Sequence, residues 1–301
     1  MYDTIIVGTG PAGYTAALYT ARYRLKTLLI GEMPGGMIAE APDVCNFPSY
    51  PNINGMDLAM KMEEHVKEFD VEVVYGRVES IQGKNNDFLV KTDDKEFKAK
   101  KVILATGQKR RRLNLPGEKK LTGRGVSYCA TCDAAFYNEK TVGIVGGGNA
   151  SLAAALLLAR YADKVYILYR KEKFFRPEPI RILEVEKEDN IETKFEVNVV
   201  ELIGDQVLEG VKLDNGEKIP LNGIFIEIGS TPNNELAKGL GVKLTEEGYI
   251  ISEYMGKTNV RGIFAAGDVI DSTLKQAITA AGQGAEAAAS LFEDIQRDKV
   301  E

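Results

Sequence analysis

Three stretches of the chain share one pattern of apolar and polar positions: a short apolar run ends in glycine and continues into a segment rich in alanine. From the amino end to the carboxyl end they read YDTIIVGTGPAGYTAALYTAR, TVGIVGGGNASLAAALLLAR and GIFAAGDVIDSTLKQAITAAGQGAEAAASLF. The apolar run predicts a strand, the glycines predict a tight turn, and the alanine-rich segment predicts a helix. We therefore expect strands over 4–7 and 262–266, a strand from Thr141, and a helix that begins near Leu274.

The first stretch carries the spacing Gly-x-Gly-x-x-Gly where strand gives way to helix. Glycines at these places permit a tight turn, close approach of a pyrophosphate and close packing of helix on strand, and the N–H groups at the helix start attract phosphate. A second strand over 27–30 follows, and an acid near its end is expected to bind ribose hydroxyls. The candidate residues are Gly8, Gly10, Pro11, Ala12, Gly13 and Glu32, the last standing one position later than the pattern places it.

The second stretch repeats the arrangement, and a further strand in it ends at Tyr169. Two such units predict two bound nucleotides, although either glycine run alone is also compatible with an ordinary tight turn. The residues after Tyr169 are mainly basic, which favours a ribose that carries a 2′-phosphate; a solvated charged loop is the alternative. The candidates of this unit are Gly146, Gly148, Asn149, Ala150, Arg170, Lys171 and Arg176.

Composition and charge narrow the function classes. The chain has 301 residues, enough for two domains, and 44% apolar with 27% charged residues is typical of a soluble globular protein. A net charge of −6 argues against nucleic acid or an anionic membrane as the main partner, and no apolar run approaches the length of a membrane span. Three cysteines cannot build a disulfide framework, which predicts a reducing cytoplasm.

The pair Cys129 and Cys132, followed at once by Asp133, lies in SYCATCDAAF. Zinc would need further ligands, and the candidates are Cys45 and the single histidine, His65, both far upstream. Two buried small residues are a second interpretation, but they leave the acid unexplained. A redox dithiol is the third, because a short C-x-x-C loop lowers the pKa of one thiol and lets the disulfide open and close without large strain.

Taken in order, the motifs resemble those of one family. The amino-terminal glycine run, A-T-G ending at Gly107, C-A-T-C-D, the second glycine run, G-I-F-A-A-G-D and K-Q-A ending at Ala277 follow one another as in the low-molecular-weight thioredoxin reductases, which are FAD-dependent dithiol flavoproteins. The most specific element is C-A-T-C-D, and the resemblance runs from about Asp3 to Phe292. It leaves the cysteine pair as a redox centre and predicts no metal.

The resemblance implies an α/β fold of two Rossmann-like three-layer dinucleotide-binding domains, the second inserted in the first. FAD would be held by 1–112 together with 247–301, and 113–246 would carry the cysteines and the pyridine-nucleotide fold. In the family the two domains rotate about the joins between them, and the protein is a homodimer. The FAD contacts that the resemblance implies are Gly8, Gly10, Pro11, Ala12, Gly13, Glu32, Gly36, Asn46, Thr106, Gly107, Gly267, Asp268, Lys275, Gln276 and Ala277.

The resemblance also implies a chemistry. Electrons would pass from NADPH through FAD to the Cys129–Cys132 disulfide and on to a thioredoxin-like protein. Cys132 would lie nearest the flavin, and Cys129 would attack the disulfide of the protein substrate. Asp133 would give or take the proton that thiolate release requires; a carboxylate stabilised by a helix amino end is the plainer interpretation of it.

Departures from the family concern the electron donor. Ser151 closes the second glycine run, where Ala or Gly is usual, and alanines follow in place of acids. The family's His-Arg-Arg-x-x-x-Arg stands here as YRKEKFFR, with Tyr169 for His, Lys171 for Arg and one residue inserted. Lysine cannot make a bidentate guanidinium–phosphate contact, so NADPH affinity is expected to be weakened. NADH, ferredoxin and a reduced deazaflavin are the alternative donors.

Two further alternatives concern the acceptor and the class of protein. The dithiol could serve a glutaredoxin-like or peroxidase subunit, or the chain could be a non-catalytic flavin redox sensor. The basic run 109–112 is compatible with a docking patch for an acidic protein, ferredoxin or thioredoxin, and equally with a solvated loop. His65 is interpreted as a surface or half-buried helical residue, and Cys45 as a buried small one.

Overall fold

The chain folds as two compact units. The computed structural model describes residues 1–41, 44, 46–128, 130–175 and 177–298, and of Thr131 and Cys132 only the backbone. Unit 1 consists of Met1–Lys109 and Thr231–Glu301, and unit 2 of Arg110–Ser230. Unit 2 is therefore inserted in unit 1.

The elements are numbered in chain order. Those that precede or begin the first crossing between the units are β1 (Tyr2–Val7), α1 (Pro11–Arg22), β2 (Thr27–Gly31), α2 (Gly55–Lys67), β3 (Glu72–Tyr75), β4 (Val78–Lys84), β5 (Asp87–Thr92), β6 (Glu96–Leu104) and β7 (Gln108–Arg110). Unit 2 continues with α3 (Glu118–Leu121), β8 (Val126–Ser127), α4 (Ala130–Asp133), β9 (Thr141–Val145), α5 (Asn149–Leu158), β10 (Lys164–Tyr169), α6 (Pro179–Val185), β11 (Ile191–Phe195), β12 (Val199–Ile203), β13 (Gly210–Leu213), β14 (Lys218–Pro220), β15 (Gly223–Ile226) and β16 (Ser230–Pro232). Unit 1 resumes with α7 (Glu235–Gly239), β17 (Ile263–Ala265) and α8 (Ala277–Asp298).

A seven-stranded sheet forms the centre of unit 1. Its order is β3-β2-β1-β6-β5-β4, and β17 pairs with the carboxyl half of β6. The strands β1, β2, β3, β6 and β17 run parallel, and β4 and β5 form an antiparallel extension. Side chains alternate between the two faces of a strand, so Ile5 packs in one apolar cluster and Ile6 in the other.

Helices α1 and α8 cover one face of this sheet. Their backbones approach closely, since a Cβ built on Gly284 of α8 would lie 2.2 Å from the carbonyl oxygen of Ala12 in α1. In the apolar cluster on the opposite face of the sheet, residues of α7 and the side chain of Val242 pack against the strands. Alanine and glycine therefore predominate where α1 and α8 meet, because the two helix backbones lie close together and against the sheet.

Unit 2 has a second parallel sheet of five strands, in the order β11-β10-β9-β15-β8. An antiparallel sheet of β12, β13 and β14 accompanies it, and the two chain crossings pair as a two-stranded ribbon of β7 and β16. In each large sheet the strand that leads into the glycines, β1 or β9, has its successor on one side and a later strand on the other. This reversal of strand order is where dinucleotides bind in such sheets.

The predicted α/β fold of two dinucleotide-type domains is confirmed by these sheets. The boundaries differ from those expected: the crossings lie at 109/110 and 230/231 rather than at 112/113 and 246/247. The second shift is the larger, because Leu236, Ala237 and Val242 pack in a cluster of unit 1. Strand β17 and helix α8 are also shorter than predicted, by one residue at each end and by three residues at the start respectively. Among the described residues, no helix is both long and apolar enough to cross a membrane.

Candidate functional site

The glycine turn of unit 1 joins β1 to α1 in the way its spacing predicts. Gly8 has φ +121°, and a Cβ there would lie 2.0 Å from the carbonyl oxygen of Ala105. A Cβ on Gly13 would lie 1.7 Å from the carbonyl oxygen of Gly8. Both positions therefore exclude any side chain, and α1 lies against the end of β1.

Gly10 differs from these two because it has space. The nearest atom to a Cβ built there is the carbonyl oxygen of Gly35, at 3.7 Å. Gly10 is also the N-cap of α1, and among the described residues no side chain caps this helix and no acid stands in its first turn, which opens with Pro11 and Ala12. An uncapped helix start with room in front of it is suited to an anion such as a pyrophosphate.

The segment after β2 faces the same turn. Glu32 directly follows the last residue of β2, because that strand extends one residue beyond the predicted end, and its side chain is 69% exposed and 3.8 Å from Arg77. A Cβ on Gly36 would lie 3.7 Å from the Cα of Gly10. Glu32 thus stands at the end of the second strand, where the pattern requires an acid for ribose hydroxyls.

Asn233, which the sequence analysis did not single out, holds the segment that follows β6. Thr106 donates a hydrogen bond from its hydroxyl to the carbonyl of Asn233 at 2.7 Å, and the Asn233 amide donates to the carbonyl of Thr106 at 2.8 Å. The backbone N–H of Asn233 also donates to the carbonyl of Gly107 at 3.0 Å. Nothing local in the sequence signals these contacts, since the partners are 127 positions apart.

The turn after β17 presents Asp268. Its carboxylate accepts a hydrogen bond from the Gln108 side chain at 2.9 Å. The N–H of Gly267 donates to the Gln283 side chain of α8 at 3.0 Å. The turn is therefore held from two sides, by the end of β6 and by α8.

Lys275 holds that turn from a third side. Its ammonium donates to the carbonyl of Asp268 at 3.0 Å and to the carbonyl of Ile270, and it lies 4.1 Å from the ring centroid of Tyr249. Burial lowers the pKa of Lys275, while Asp268 and Asp271 oppose that shift. The structure thus gives Lys275 contacts to the backbone of the Asp268 turn.

Asn46 and Gln276 meet, although 230 positions separate them. The Asn46 amide donates to the Gln276 side-chain oxygen at 2.9 Å. The N–H of Gln276 donates to the Thr279 hydroxyl at 3.1 Å, which is an amino-terminal cap, so α8 begins at Ala277 and not near Leu274. Cys45 lies outside the described residues.

These groups lie at the carboxyl ends of parallel strands of one sheet. An uncapped helix start, an acid at the end of β2, and the Asp268 carboxylate at the end of β17 are the groups that an extended dinucleotide requires. The space at Gly10 leaves a place for its pyrophosphate. FAD therefore fits the chain here.

The glycine turn of unit 2 is similar in shape. Gly146 has φ +145°, and a Cβ there would lie 2.2 Å from the carbonyl oxygen of Glu227. Gly148 is the N-cap of α5, and within the described part of the chain no side chain caps that helix. Ser151, in place of the third small residue, is fully buried, and its hydroxyl donates to the carbonyl of Glu227 at 3.1 Å. The serine is accommodated because it has a backbone acceptor.

The segment after β10 folds back towards this turn. The N–H of Phe175 donates to the carbonyl of Gly147 at 2.7 Å, and the N–H of Glu178 donates to the Asn149 side chain at 2.7 Å. Asn149 thus orders this segment, and the next residue, Ala150, is exposed at the start of α5.

The basic residues predicted to recognise a phosphorylated ribose lie on this segment. Arg170 and Lys171 are exposed, and the Lys171 ammonium lies 5.1 Å from the ring centroid of Phe175. Arg176 lies outside the described residues. Tyr169, which replaces a histidine of the family motif, is buried. Its ring packs against Gly147, since a Cβ built on Gly147 would lie 2.4 Å from the Tyr169 ring.

Helix α4 carries the end of the C-x-x-C motif. Cys129 and the side chain of Cys132 lie outside what the structure describes, and the backbone of Cys132 is helical. Asp133 is the last residue of α4 and is half-buried. Burial, and then the charge of Asp133, raise the pKa of Tyr137. Within the described residues, no group of His, Cys, Asp and Glu could hold a metal ion.

Side chains of the basic run 109–112 contact residues of the unit to which each belongs. Lys109 pairs with Glu235 at 3.1 Å, and the Arg111 side chain donates to the carbonyl of Ser230 at 3.1 Å. The Arg112 guanidinium lies 5.6 Å from the ring centroid of Tyr128. These contacts favour a structural role at the crossing over a solvated loop.

Arg110 points elsewhere. Its guanidinium donates to the carbonyl of Tyr128 and lies 3.7 Å from the Glu227 carboxylate. Burial raises the pKa of Glu227, and the charge of Arg110 opposes that shift. The sequence analysis considered Arg110 only as part of the basic run 109–112 and missed Glu227; the available signal was Glu227 itself, an acid inside the apolar run GIFIEIG.

Comparison with known proteins gives concordant matches over nearly the whole chain. A family model described as pyridine nucleotide-disulphide oxidoreductase matches residues 2–284. The thioredoxin reductase of Bacillus subtilis (strain 168) is 40% identical over 298 residues, which cover 97% of this chain and 94% of that protein. The crystal structure of Lactococcus lactis thioredoxin reductase in its FR conformation has a TM-score of 0.90 and 38% identity, and the match covers 99% of this chain and 100% of that one. The structure of T. acidophilum thioredoxin reductase has a TM-score of 0.86 and 35% identity, over 97% and 98% of the two chains.

Proposed function

We propose that this chain, which belongs to the pyridine nucleotide-disulphide oxidoreductase family, is an enzyme that reduces the disulfide of a thioredoxin-like protein. The resemblance read from the motifs is confirmed by the matches to thioredoxin reductases. The observation that carries the proposal is the C-x-x-C motif, whose end lies on α4, within a dinucleotide-type unit that is itself inserted in another.

The residues of unit 1 would hold FAD. The start of α1 would bind the pyrophosphate through backbone N–H groups, with Gly10 leaving room for it. Glu32 would accept hydrogen bonds from ribose hydroxyls, and Asp268 would accept from a sugar-alcohol hydroxyl while Gln108 fixes its orientation. FAD, when bound, supplies a two-electron carrier between a donor and the disulfide. The remaining proposed contacts are those of Gly8, Pro11, Ala12, Gly13, Gly36, Asn46, Thr106, Gly107, Gly267, Lys275, Gln276 and Ala277.

The dithiol would work as two unlike thiols. Cys132 would exchange electrons with the cofactor, and Cys129 would attack the disulfide of the protein substrate as a thiolate. Asp133, at the end of the same short helix, would hold the proton that the leaving thiolate takes up.

The electron donor proposed first is NADPH. Gly146, Gly148, Asn149 and Ala150 lie at an uncapped helix start suited to its pyrophosphate. Arg170 and Lys171 are exposed on the segment that follows β10, where a 2′-phosphate would lie, with Arg176 the third candidate of that segment. NADH and reduced ferredoxin are the competing donors.

Anaerobic reduction of the purified protein tests the donor and the dithiol together. Flavin absorbance is followed during parallel titrations with NADPH, NADH and reduced ferredoxin, and thioredoxin reduction is then measured with each. We expect NADPH to bleach the flavin at the lowest concentration and to sustain multiple turnovers. The variants C129S and C132S should lose turnover with thioredoxin and keep flavin bleaching, because they remove the disulfide and leave both nucleotide turns.

The alternatives give different results in the same assay. Bleaching without repeated turnover would identify a redox sensor, and turnover only with another disulfide protein would identify a different acceptor. A protein that is colourless and does not take up FAD, or a C132S variant that turns over thioredoxin normally, would refute the proposal.

A further inference from the structure

A small cavity of unit 2 adjoins the C-x-x-C turn. Its volume is about 210 Å³, and the residues around it are Arg110, Ala130, Ala150, Ala153, Ala154, Leu157 and Glu227. One wall is therefore a face of α5 without charge, and Arg110 and Glu227 bring a guanidinium and a carboxylate to the same cavity. Ala130 is the residue directly after Cys129 and is itself buried.

Arg110 connects this pair of charges to the motif. Its guanidinium donates to the carbonyl of Tyr128, the residue directly before Cys129, and lies 3.7 Å from the Glu227 carboxylate. The side chains of Arg110 and Glu227 are 27% and 14% exposed, so water screens them only partly. Both chain neighbours of Cys129 thus contact or line the place where the two charges lie.

We propose that the Arg110–Glu227 ion pair sets how readily the Cys129 thiol ionises, as two positioning residues that act on the motif through its backbone and through their charges. The inference rests on the proposed function only in taking Cys129 as the working thiol. Neither residue is required to touch the substrate or the cofactor.

The physical reason is that the two residues carry opposite charges, and only Arg110 is bonded to the backbone of the turn. A cation near a thiol stabilises the thiolate, and a nearby carboxylate destabilises it. Arg110 is hydrogen-bonded to the turn itself, and Glu227 is held to Arg110. Because α5 presents alanines and a leucine to the cavity, nothing on that wall offsets either charge.

Other ionisable groups belong to residues of the motif or to residues that contact its chain neighbours, and they are kept unchanged in the test. Asp133 ends α4 and lies close enough to raise the pKa of Tyr137. Tyr128 donates from its hydroxyl to Glu118, and Arg112 lies over its ring. These groups are present in every variant compared below, so a difference between variants reports the pair alone.

A single-thiol protein makes the measurement direct. The chain has three cysteines, so C45S with C132S leaves Cys129 alone. The rate of alkylation of the flavin-loaded full-length protein by iodoacetamide, followed against pH, gives the midpoint of thiol ionisation. We expect R110M to raise that midpoint and E227Q to lower it, each by about 0.5 to 1 pH unit, the size expected for one charge removed from a partly screened site.

Two controls separate charge from packing. R110K keeps the cation and should bring the midpoint back towards that of the parent, whereas R111A removes an exposed guanidinium that bonds Ser230 and should leave the midpoint within about 0.2 unit. Circular dichroism and flavin content confirm that each variant is folded.

Shifts of opposite sign in R110M and E227Q would support the proposal, and shifts of the same sign or none would overturn it. Should R110M not fold, E227Q carries the test alone, since an unchanged or raised midpoint there also overturns it. The readout is thiol reactivity, so it stays decisive whether or not thioredoxin proves to be the substrate.

Discussion

At the scale of single residues, glycines of one motif do different work. Gly13 is a packing residue, since a side chain there would collide with the backbone of Gly8, whereas Gly10 borders space that the protein leaves open. The motif spacing alone does not distinguish them, because both read as glycine; their surroundings do.

We expect G13A to disrupt unit 1. Its Cβ would lie 1.7 Å from a carbonyl oxygen, so α1 must shift, at a cost of about 2 to 3 kcal/mol in the free energy of unfolding. Bound FAD per chain, measured by absorbance, should fall sharply, and the melting temperature of the flavin-free protein should fall with it.

The matched variant is G10A, whose Cβ would have no neighbour closer than 3.7 Å. It should change the stability of the flavin-free protein by only about 1 kcal/mol, the cost of alanine at an N-cap, and still weaken FAD binding. Equal stability of the two flavin-free variants would contradict this distinction.

Recognition of the nicotinamide donor is also a matter of single side chains. Replacing Arg170, which is exposed after β10, should raise the KM for NADPH about tenfold, as expected for one lost charged hydrogen bond. The KM for NADH should be unchanged in R170A, because NADH lacks the phosphate. Parallel steady-state assays with both donors check this, and an equal loss for both would remove Arg170 from phosphate recognition.

At the scale of elements, the sequence predicted what local pattern encodes. Both glycine turns and the helices after them follow from local sequence: an apolar run, spaced glycines and an alanine-rich segment predict the same structure in any protein. Helix α7 escaped prediction, and with it the domain boundary, because its attachment to unit 1 depends on apolar contacts with strands far away in the chain. Lys275 was predicted only as a cofactor contact, since its position in a motif does not show that its ammonium bonds backbone carbonyls.

Helix α8 is fastened by a buried cation. The Lys101 side chain of β6 is fully buried, and its ammonium lies 2.6 Å from the carboxylates of Asp294 and Asp298. Asp298 also accepts from Arg261 at 2.7 Å and from Asn86 at 2.9 Å. The hydrogen bond from Lys101, with that from Arg261, lowers the pKa of Asp298 to about 2.

The Asp298 carboxylate makes the stability of the protein sensitive to acid. Because the pKa of Asp298 is lower in the folded state than its ordinary 3.8, its stabilisation is complete above about pH 4 and is lost as pH falls towards 2. D298N should lower the unfolding free energy at pH 7 by about 2 kcal/mol, since Lys101 keeps Asp294 as a partner, and should flatten its dependence on pH in that window. Urea denaturation between pH 2 and 7 measures both effects.

A surface pair on the same helix serves as the control. Glu293 and Arg297 are 57% and 66% exposed and 3.6 Å apart, so E293Q should change stability by less than about 0.5 kcal/mol. If E293Q and D298N proved alike, the buried lysine would not be the fastening of α8.

At the scale of the whole molecule, the apolar core is divided. Among the described residues, two clusters belong to unit 1 and two to unit 2, and each cluster takes its members from one unit. Since FAD is proposed to bind unit 1, it should stabilise that unit selectively.

We expect two calorimetric transitions. Free FAD at about 100 times its dissociation constant should raise one of them by about 5 to 10 °C and leave the other in place. V142A, which opens a cavity at a fully buried position of β9 in unit 2, should lower only the transition that FAD does not move. A single transition that FAD and V142A shift together would show that the two cores melt as one.

The insertion of unit 2 also has a consequence for biosynthesis. A ribosome completes 110–230 while the host unit still lacks 231–301, and with them the strand β17 beside β6 and the helix α8 against α1. Until β17 and α8 are translated, the nascent chain exposes an unpaired strand edge and an alanine-rich helix face, both prone to association. A premature stop codon between Ser230 and Ile263, which removes both β17 and α8, should therefore yield a polypeptide whose inserted unit is native and whose flanking unit precipitates.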